Sequence, residues 1–190
     1  TTAVSAALWI GLYLALVLAP LLVLLASPIP HGAGFWRDFS MAIGFAGIAM
    51  LGVQFVLTAR FRRASAPFGI DILYYFHRYL AVIAVALVGG HYLVLRVVHP
   101  EALGTANPLS APWHMTSGRA ALLCFAVVIV TSLWRKPLRI PYDGWRRAHV
   151  LLTATGLMLA GAHIEGVGHY HEVPEGWPFW IAFSVFWVLL

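Results

Sequence analysis

Two stretches of the chain carry one pattern. Residues 77–91 read HRYLAVIAVALVGGH and residues 149–163 read HVLLTATGLMLAGAH, so each begins and ends on a histidine and is otherwise almost wholly apolar. Fourteen steps of about 100° fall about 40° short of four full turns, which puts both histidines of a stretch on one helix face, about 21 Å apart along the axis. The hydrocarbon core of a bilayer is about 30 Å thick. A helix of this kind that crosses it carries one histidine in each leaflet.

Composition agrees with a membrane setting. The chain is 61% apolar and 10% charged, where soluble domains run at about 25% charged, and its mean hydropathy is +0.84. A soluble globular domain is excluded. The pI of about 9.8 does not point to nucleic acid, because the basic residues sit in short loops between apolar runs, where they report membrane topology. The one cysteine, Cys124, lies in an apolar run. That excludes an internal disulfide, a thiolate zinc site, an iron–sulfur cluster and a C-x-x-C-H haem attachment.

The apolar runs divide the chain into six expected spans. Residues 6–26 form the first, closed by Ser27-Pro28-Ile29-Pro30, which cannot continue a helix; no basic stretch precedes it, which argues against a signal peptide. The second covers residues 39–59, with Gly44, Gly47 and Gly52 available for close helix contacts, and stops at Arg60, Arg62 and Arg63. The third begins near Asp71, favoured by the helix dipole, and runs to residue 98. Residues 100–117 then make the longest loop, with Pro100, Pro108, Pro112, Trp113 and His114, the length of a lid or binding loop. The fourth span is 118–134. A basic stretch and a turn at 141–144 lead to the fifth, 145–164. A polar segment, 165–176, precedes a sixth that opens at Trp177-Pro178 and is cut after fourteen residues, where a span needs about 20. With Thr1 in place of a methionine, the chain reads as a fragment at both ends. The expected fold is an all-α membrane protein, a six-transmembrane-helix bundle with its last helix truncated.

The charges orient that bundle. Arg60, Arg62, Arg63, Arg78, Arg135, Lys136, Arg139, Arg146 and Arg147 fall on one side, and only Arg37, Arg96 and Arg119 on the other. Both termini are therefore expected in the cytoplasm, as in a bacterial inner (plasma) membrane protein. The third and fifth spans both run outward, so His77 is level with His149 in the inner leaflet and His91 with His163 in the outer.

A lone membrane histidine reads as a helix-to-helix hydrogen bond. Two identical pairs at matched depths read differently, because neutral imidazole ligates iron through one ring nitrogen while a neighbour fixes the other. Four such rings are the ligand set of two stacked b-type haems, His77 and His149 holding the inner iron and His91 and His163 the outer. Gly89, Gly90, Gly156 and Gly161 would admit a flat macrocycle near the backbone, or serve ordinary packing. Arg78, Arg146 and Arg147 stand where they could pair with propionates of the inner haem, or are simply inside charges. Arg96 and Arg119 lie against the charge bias, and with His99 and His114 form a candidate outer acceptor pocket. His169, His171, Glu165, Glu172 and Glu175 in the outer loops read as solvated residues, with a metal or acceptor pocket as the alternative. Phe125 is a candidate bridge between the haems.

The two His-x13-His helices, the second introduced by Trp145-Arg146-Arg147-x-His149 and the first by His77-Arg78, resemble the ferric reductase-like transmembrane domain, the superfamily of NADPH oxidases and ferric-chelate reductases. The resemblance implies a cytosolic FAD and NADPH domain or subunit beyond the sixth span. Electrons would pass from NADPH through FAD, the inner haem and the outer haem to a small extracytoplasmic acceptor, such as oxygen or a ferric chelate. No G-x-G-x-x-G stretch occurs before Leu190, so this chain is expected to be the haem domain alone. A second reading within the class is the membrane subunit of a periplasmic methionine sulfoxide reductase. A reading of another class is a transporter with intramembrane histidines, which expects carboxylates at depth; all seven acidic residues instead lie at helix ends or in loops.

Overall fold

The computed structural model describes residues 2–26, 34–58 and 69–168. They form helices joined by short connections: α1 (Thr2–Ala26), α2 (Phe35–Thr58), α3 (Ile70–Val98), α4 (Pro100–Leu103), α5 (Trp113–Leu133) and α6 (Tyr142–Val167). Two compact units result, one within Thr1–Val94 and the other within Leu95–His169. Among the described residues there is no strand. Among them too, α3, α5 and α6 are long and apolar enough to cross a membrane, and α1 supplies a shorter apolar stretch, Ala3–Ala19. The expected sixth span and most of the polar segment before it lie outside the described residues.

Local chemistry sets the helix ends. Gly34, at φ +104°, turns the chain so that its carbonyl accepts from Arg37 and Asp38 and opens α2. Asp38, Asp71 and Asp143 stand in the first turns of α2, α3 and α6, where a negative charge meets the positive end of the helix dipole. The last of these helices closes on Gly168 in the left-handed conformation, φ +70°, which costs a glycine little.

Two expected boundaries move. The turn expected at 141–144 is instead the start of α6: Pro141 caps it and the Trp145 amide donates to the Pro141 carbonyl at 3.0 Å. Proline is tolerated there because the amides of a first turn have no partner within the helix. The long loop expected over 100–117 is also shorter, for the same reason. Pro100 opens α4, Pro112 precedes α5, and Ser117 already donates to the Trp113 carbonyl within that helix at 3.0 Å. The remaining connection folds on itself around Asn107, whose side chain accepts from the Leu109 amide at 3.0 Å.

In the first unit α1 packs on α2, and α2 packs on α3. A Cβ on Gly47 would lie 2.9 Å from the Ala84 carbonyl and 2.8 Å from Val88 Cγ2, so α2 and α3 touch almost backbone to backbone, as small residues allow in membrane helices. In the second unit α5 packs along α6. Phe125, 1% exposed, fills the space over Gly156, where a Cβ would come within 2.7 Å of its ring.

Candidate functional site

The four histidines of the two pairs are half-buried, and each is held through Nδ1 by the antiparallel helix beside it. His77 Nδ1 donates to Gln54 Oε1 at 2.8 Å. His91 Nδ1 donates to the Ser40 carbonyl at 3.0 Å. The Ser40 hydroxyl, 3.0 Å from the same nitrogen, donates its own proton to the His91 carbonyl at 2.9 Å, which leaves the ring to supply the proton of the Nδ1 contact. His163 Nδ1 donates to the His114 carbonyl at 2.9 Å, and His149 Nδ1 is hydrogen-bonded to the Ser132 hydroxyl at 3.2 Å.

These partners decide the tautomer. A carbonyl oxygen can only accept, so the rings of His77, His91 and His163 carry their proton on Nδ1 and their lone pair on Nε2. Ligand histidines in metal sites are oriented in this way.

The partners also fall in register. Along α2, Ser40, Gly47 and Gln54 follow at seven-residue steps and meet His91, Ala84 and His77 of α3. Along α5, Gly118, Phe125 and Ser132 follow at the same step and meet His163, Gly156 and His149 of α6. Seven residues make two turns less about 20°, so the layers stay on one seam, and in both pairs every second layer meets a histidine. Ser40 and Gln54, at 0% and 4% exposed, are the buried polar side chains among the described residues outside the histidines. Both serve α3 histidines. The repeated fourteen-residue interval in α2 was a legible signal for them: two polar residues in an apolar helix with the spacing of the histidine pair.

Two glycines shape the outer histidines. A Cβ on Gly44 would lie 3.0 Å from His91 Cγ, and one on Gly118 would lie 2.8 Å from His163 Nδ1. Gly44 follows Ser40 by four residues and Gly118 follows His114 by four. In a helix the carbonyl of residue i points toward residue i+4, so a missing side chain at i+4 lets an imidazole reach that carbonyl from the side. Of the glycines singled out from sequence, Gly156 packs under Phe125, a Cβ on Gly90 would make an ordinary 3.4 Å contact with Ile43, and one on Gly89 or Gly161 would meet nothing within 4 Å among the described residues.

The other expected site residues are distributed as follows. Arg78, Arg146 and Arg147 are exposed, and Arg147 Nε donates to the Asp143 carbonyl at 3.3 Å. Trp145, next to them, has its ring 5.2 Å from that of His149, its indole N–H buried without a partner, and the Arg135 guanidinium 5.7 Å above it. Arg96 is exposed in the last turn of α3. Arg119 is committed to the preceding loop, Nη2 donating to the Leu103 carbonyl at 2.6 Å and Nη1 to the Thr105 carbonyl at 2.7 Å. His99 pairs with Glu101 Oε1 at 3.0 Å. His114 belongs to the first turn of α5, not to a loop, and contributes its carbonyl to His163. Among the described residues no three His, Cys, Asp or Glu side chains gather as a metal site; His169, His171, Glu172 and Glu175 lie outside them.

Residues 43–160, from α2 into α6, match the family model of the ferric reductase-like transmembrane component. The chain belongs to that family. No individual curated protein and no solved structure matches it. The ferric reductase-like match takes in His77, His91 and His149 and stops three residues before His163. It makes the chain an integral membrane protein of an oxidoreductase family concerned with transmembrane electron transfer and redox partners. Ferric reductase-like domains generally bind haem.

The residues present fit that group. Three Nδ1-protonated rings and a fourth held by a hydroxyl would suit imidazole ligation of a haem iron. The buried, unpartnered N–H of Trp145 beside His149 suits a carboxylate acceptor such as a propionate.

Proposed function

We propose that this chain is the haem-binding membrane domain of an oxidoreductase that carries electrons from a cytosolic FAD and NADPH dehydrogenase domain or subunit to a small acceptor outside the membrane. His77 and His149 would ligate an inner b-type haem and His91 and His163 an outer one. The pairing follows from the matched positions of the two histidine pairs and from the charge asymmetry of the loops. When bound, the haems supply one-electron carriers at two depths of the bilayer. The chain's own residues orient the rings and keep the Nδ1 protons in place. Arg78, Arg146, Arg147 and the Trp145 N–H are the candidate partners of inner propionates, and Gly90 and Gly161 candidate approach points for the macrocycles. Arg96, Arg119, His99 and His114 remain candidates for the acceptor side.

The observation that carries this reading is the set of four histidines at matched intervals, each held by Nδ1 from an antiparallel helix. A transporter reading lacks such support: Asp38, Asp71, Glu101, Asp143 and Glu165 are all exposed. The test is a pyridine haemochrome assay on purified protein produced with ample haem. Two non-covalent b-type haems per chain are expected; well under two in fully loaded protein would overturn the assignment. A methionine sulfoxide reductase subunit would give the same spectrum and differ only in the partner that oxidises it.

A further inference from the structure

The Nδ1 contacts of the four histidines differ in kind, and the Ser40 hydroxyl also lies 3.0 Å from His91 Nδ1. His91 and His163 donate to backbone carbonyls, of Ser40 and His114, reached over Gly44 and Gly118. His77 and His149 contact side chains, Gln54 Oε1 at 2.8 Å and Ser132 Oγ at 3.2 Å. A backbone carbonyl survives any substitution of its residue, whereas an amide or hydroxyl side chain is an adjustable part.

We propose that Gln54 of α2 and Ser132 of α5 are positioning residues of the inner haem. On this view they set the orientation and basicity of His77 and His149, where His163 is held by a backbone carbonyl and His91 by the Ser40 carbonyl with the Ser40 hydroxyl beside it. The inference rests on the ligand assignment proposed above and goes beyond it. An acceptor on Nδ1–H draws the proton away from the ring and makes the Nε2 lone pair a stronger donor to iron, which favours the ferric form. Removing the acceptor weakens that donation and moves the reduction potential of the iron upward. Burial reinforces the contact at Gln54, which is 4% exposed, because a hydrogen bond away from water is not diluted by competing solvent. The register is the second argument. Gln54 and Ser132 each stand one seven-residue layer beyond a close packing contact, Gly47 on Ala84 and Phe125 on Gly156, so neighbouring layers fix where their oxygens lie.

The test uses the whole haem-loaded protein, with a potentiometric titration resolving two components and low-spin EPR of the oxidised form. Gln54→Met keeps the approximate volume and removes the acceptor; Ser132→Ala removes the hydroxyl. Each is expected to raise the potential of one component, to shift that component's EPR g-values, and to leave the other unchanged. Ser117→Ala, which removes a hydroxyl bonded only to the Trp113 carbonyl within its own helix, is expected to move neither. Wild-type protein without haem would sink the ligand assignment itself. Wild-type protein with two haems and unchanged potentials and g-values in both variants would sink only the positioning role. If the two variants moved different components, Gln54 and Ser132 would be positioning residues of different haems, and the single inner site proposed for them would be overturned. Should Gln54→Met fail to assemble, Ser132→Ala alone carries the decision.

Discussion

The His91 ring reaches the Ser40 carbonyl at 3.0 Å through the space left by Gly44, one turn further along α2. His163 reaches the His114 carbonyl at 2.9 Å over Gly118 in the same way. In both places a helix carbonyl that already accepts along its own helix takes a second donor from the side, and the glycine four residues on makes this sterically possible. The two units have thus arrived at one solution for the outer histidine of each pair.

Gly118→Ala should therefore cost more than an ordinary helix substitution. Its Cβ would lie 2.8, 2.9 and 3.1 Å from three ring atoms of His163, where that of Gly44 would lie 3.0, 3.1 and 3.4 Å from atoms of His91. Overpacking of this kind costs about 1–3 kcal/mol. The expected order of damage, read as outer-haem occupancy and its EPR signal, is Gly118→Ala above Gly44→Ala. Gly11→Ala in α1, where the added Cβ would meet nothing within 4 Å, should be close to neutral. Equal loss in all three would mean that crowding of the rings is not the cause.

Gly161→Ala separates a macrocycle from empty space. Among the described residues nothing beyond its own helix neighbours lies within 4 Å of the Cβ it would add, so within the polypeptide the change should help the helix by about 0.5–1 kcal/mol. A loss of haem despite unchanged helix content by circular dichroism is expected if a macrocycle lies on that face. Full haem occupancy would remove Gly161 from the cofactor site.

Much of this was legible because a fourteen-residue interval in an apolar run admits few geometries. The histidine pairs, the spans that carry them and the family followed from it. What was not legible was which backbone carbonyls held the outer rings. His114 read as an acceptor-pocket side chain because it is a histidine in an expected outer loop, yet its backbone carbonyl makes the contact, and sequence carries no mark of which carbonyl is used. Gly156 read as equally suited to a macrocycle or to packing, and Phe125 decides it for packing. Arg119 read as a charge left against the topological bias; the reason for it is two carbonyls, of Leu103 and Thr105, that a folded loop brings within reach. Contacts with backbone depend on how a loop closes, and residue identity encodes that weakly.

Arg119→Ala should loosen the connection between α4 and α5. It removes two hydrogen bonds from a charged donor, each worth about 1.5–3 kcal/mol when shielded and less here because the Thr105 contact is exposed. Lysine has one point-like donor group and cannot span both carbonyls with a planar fork, so Arg119→Lys should fall between. Hydrogen exchange of residues 104–112 reads this directly, with faster exchange expected in Ala than in Lys and in Lys than in wild type. Unchanged exchange together with lost acceptor reduction would instead give Arg119 a direct part at the acceptor.

Phe125→Ala should open a cavity at the middle layer of the α5–α6 seam. The ring is 1% exposed and lies over Gly156, and truncation of a buried phenylalanine costs about 3–5 kcal/mol. Phe125→Leu refills most of that space and should cost much less. Thermal denaturation followed by haem release is expected to rank wild type above Leu and Leu well above Ala. A Gly156→Ala change in the Phe125→Ala background should recover part of the loss, since the Cβ would enter the vacated volume. Absence of any recovery would show that the two residues do not share one packing site.

The proposed ligation leaves no open coordination position, and that bears on how an acceptor is reduced. His91 and His163 would both hold the outer haem, each ring donating to a backbone carbonyl. With both rings engaged, the haem would supply single electrons to an acceptor such as oxygen or a ferric chelate without ligating it, and oxygen would be reduced to superoxide. A positive charge near that edge would stabilise the developing anion; Arg96, exposed in the last turn of α3, is the better placed cation, since Arg119 already serves two carbonyls. Carbon monoxide should accordingly leave the spectrum of the reduced wild-type protein unchanged, and cyanide should not inhibit acceptor reduction. His163→Ala protein that keeps its outer haem should gain carbon monoxide binding, and Arg96→Ala should slow acceptor reduction with carbon monoxide still excluded. Rapid stoichiometric carbon monoxide binding by the intact reduced protein would reveal an open iron and rule out transfer from the edge.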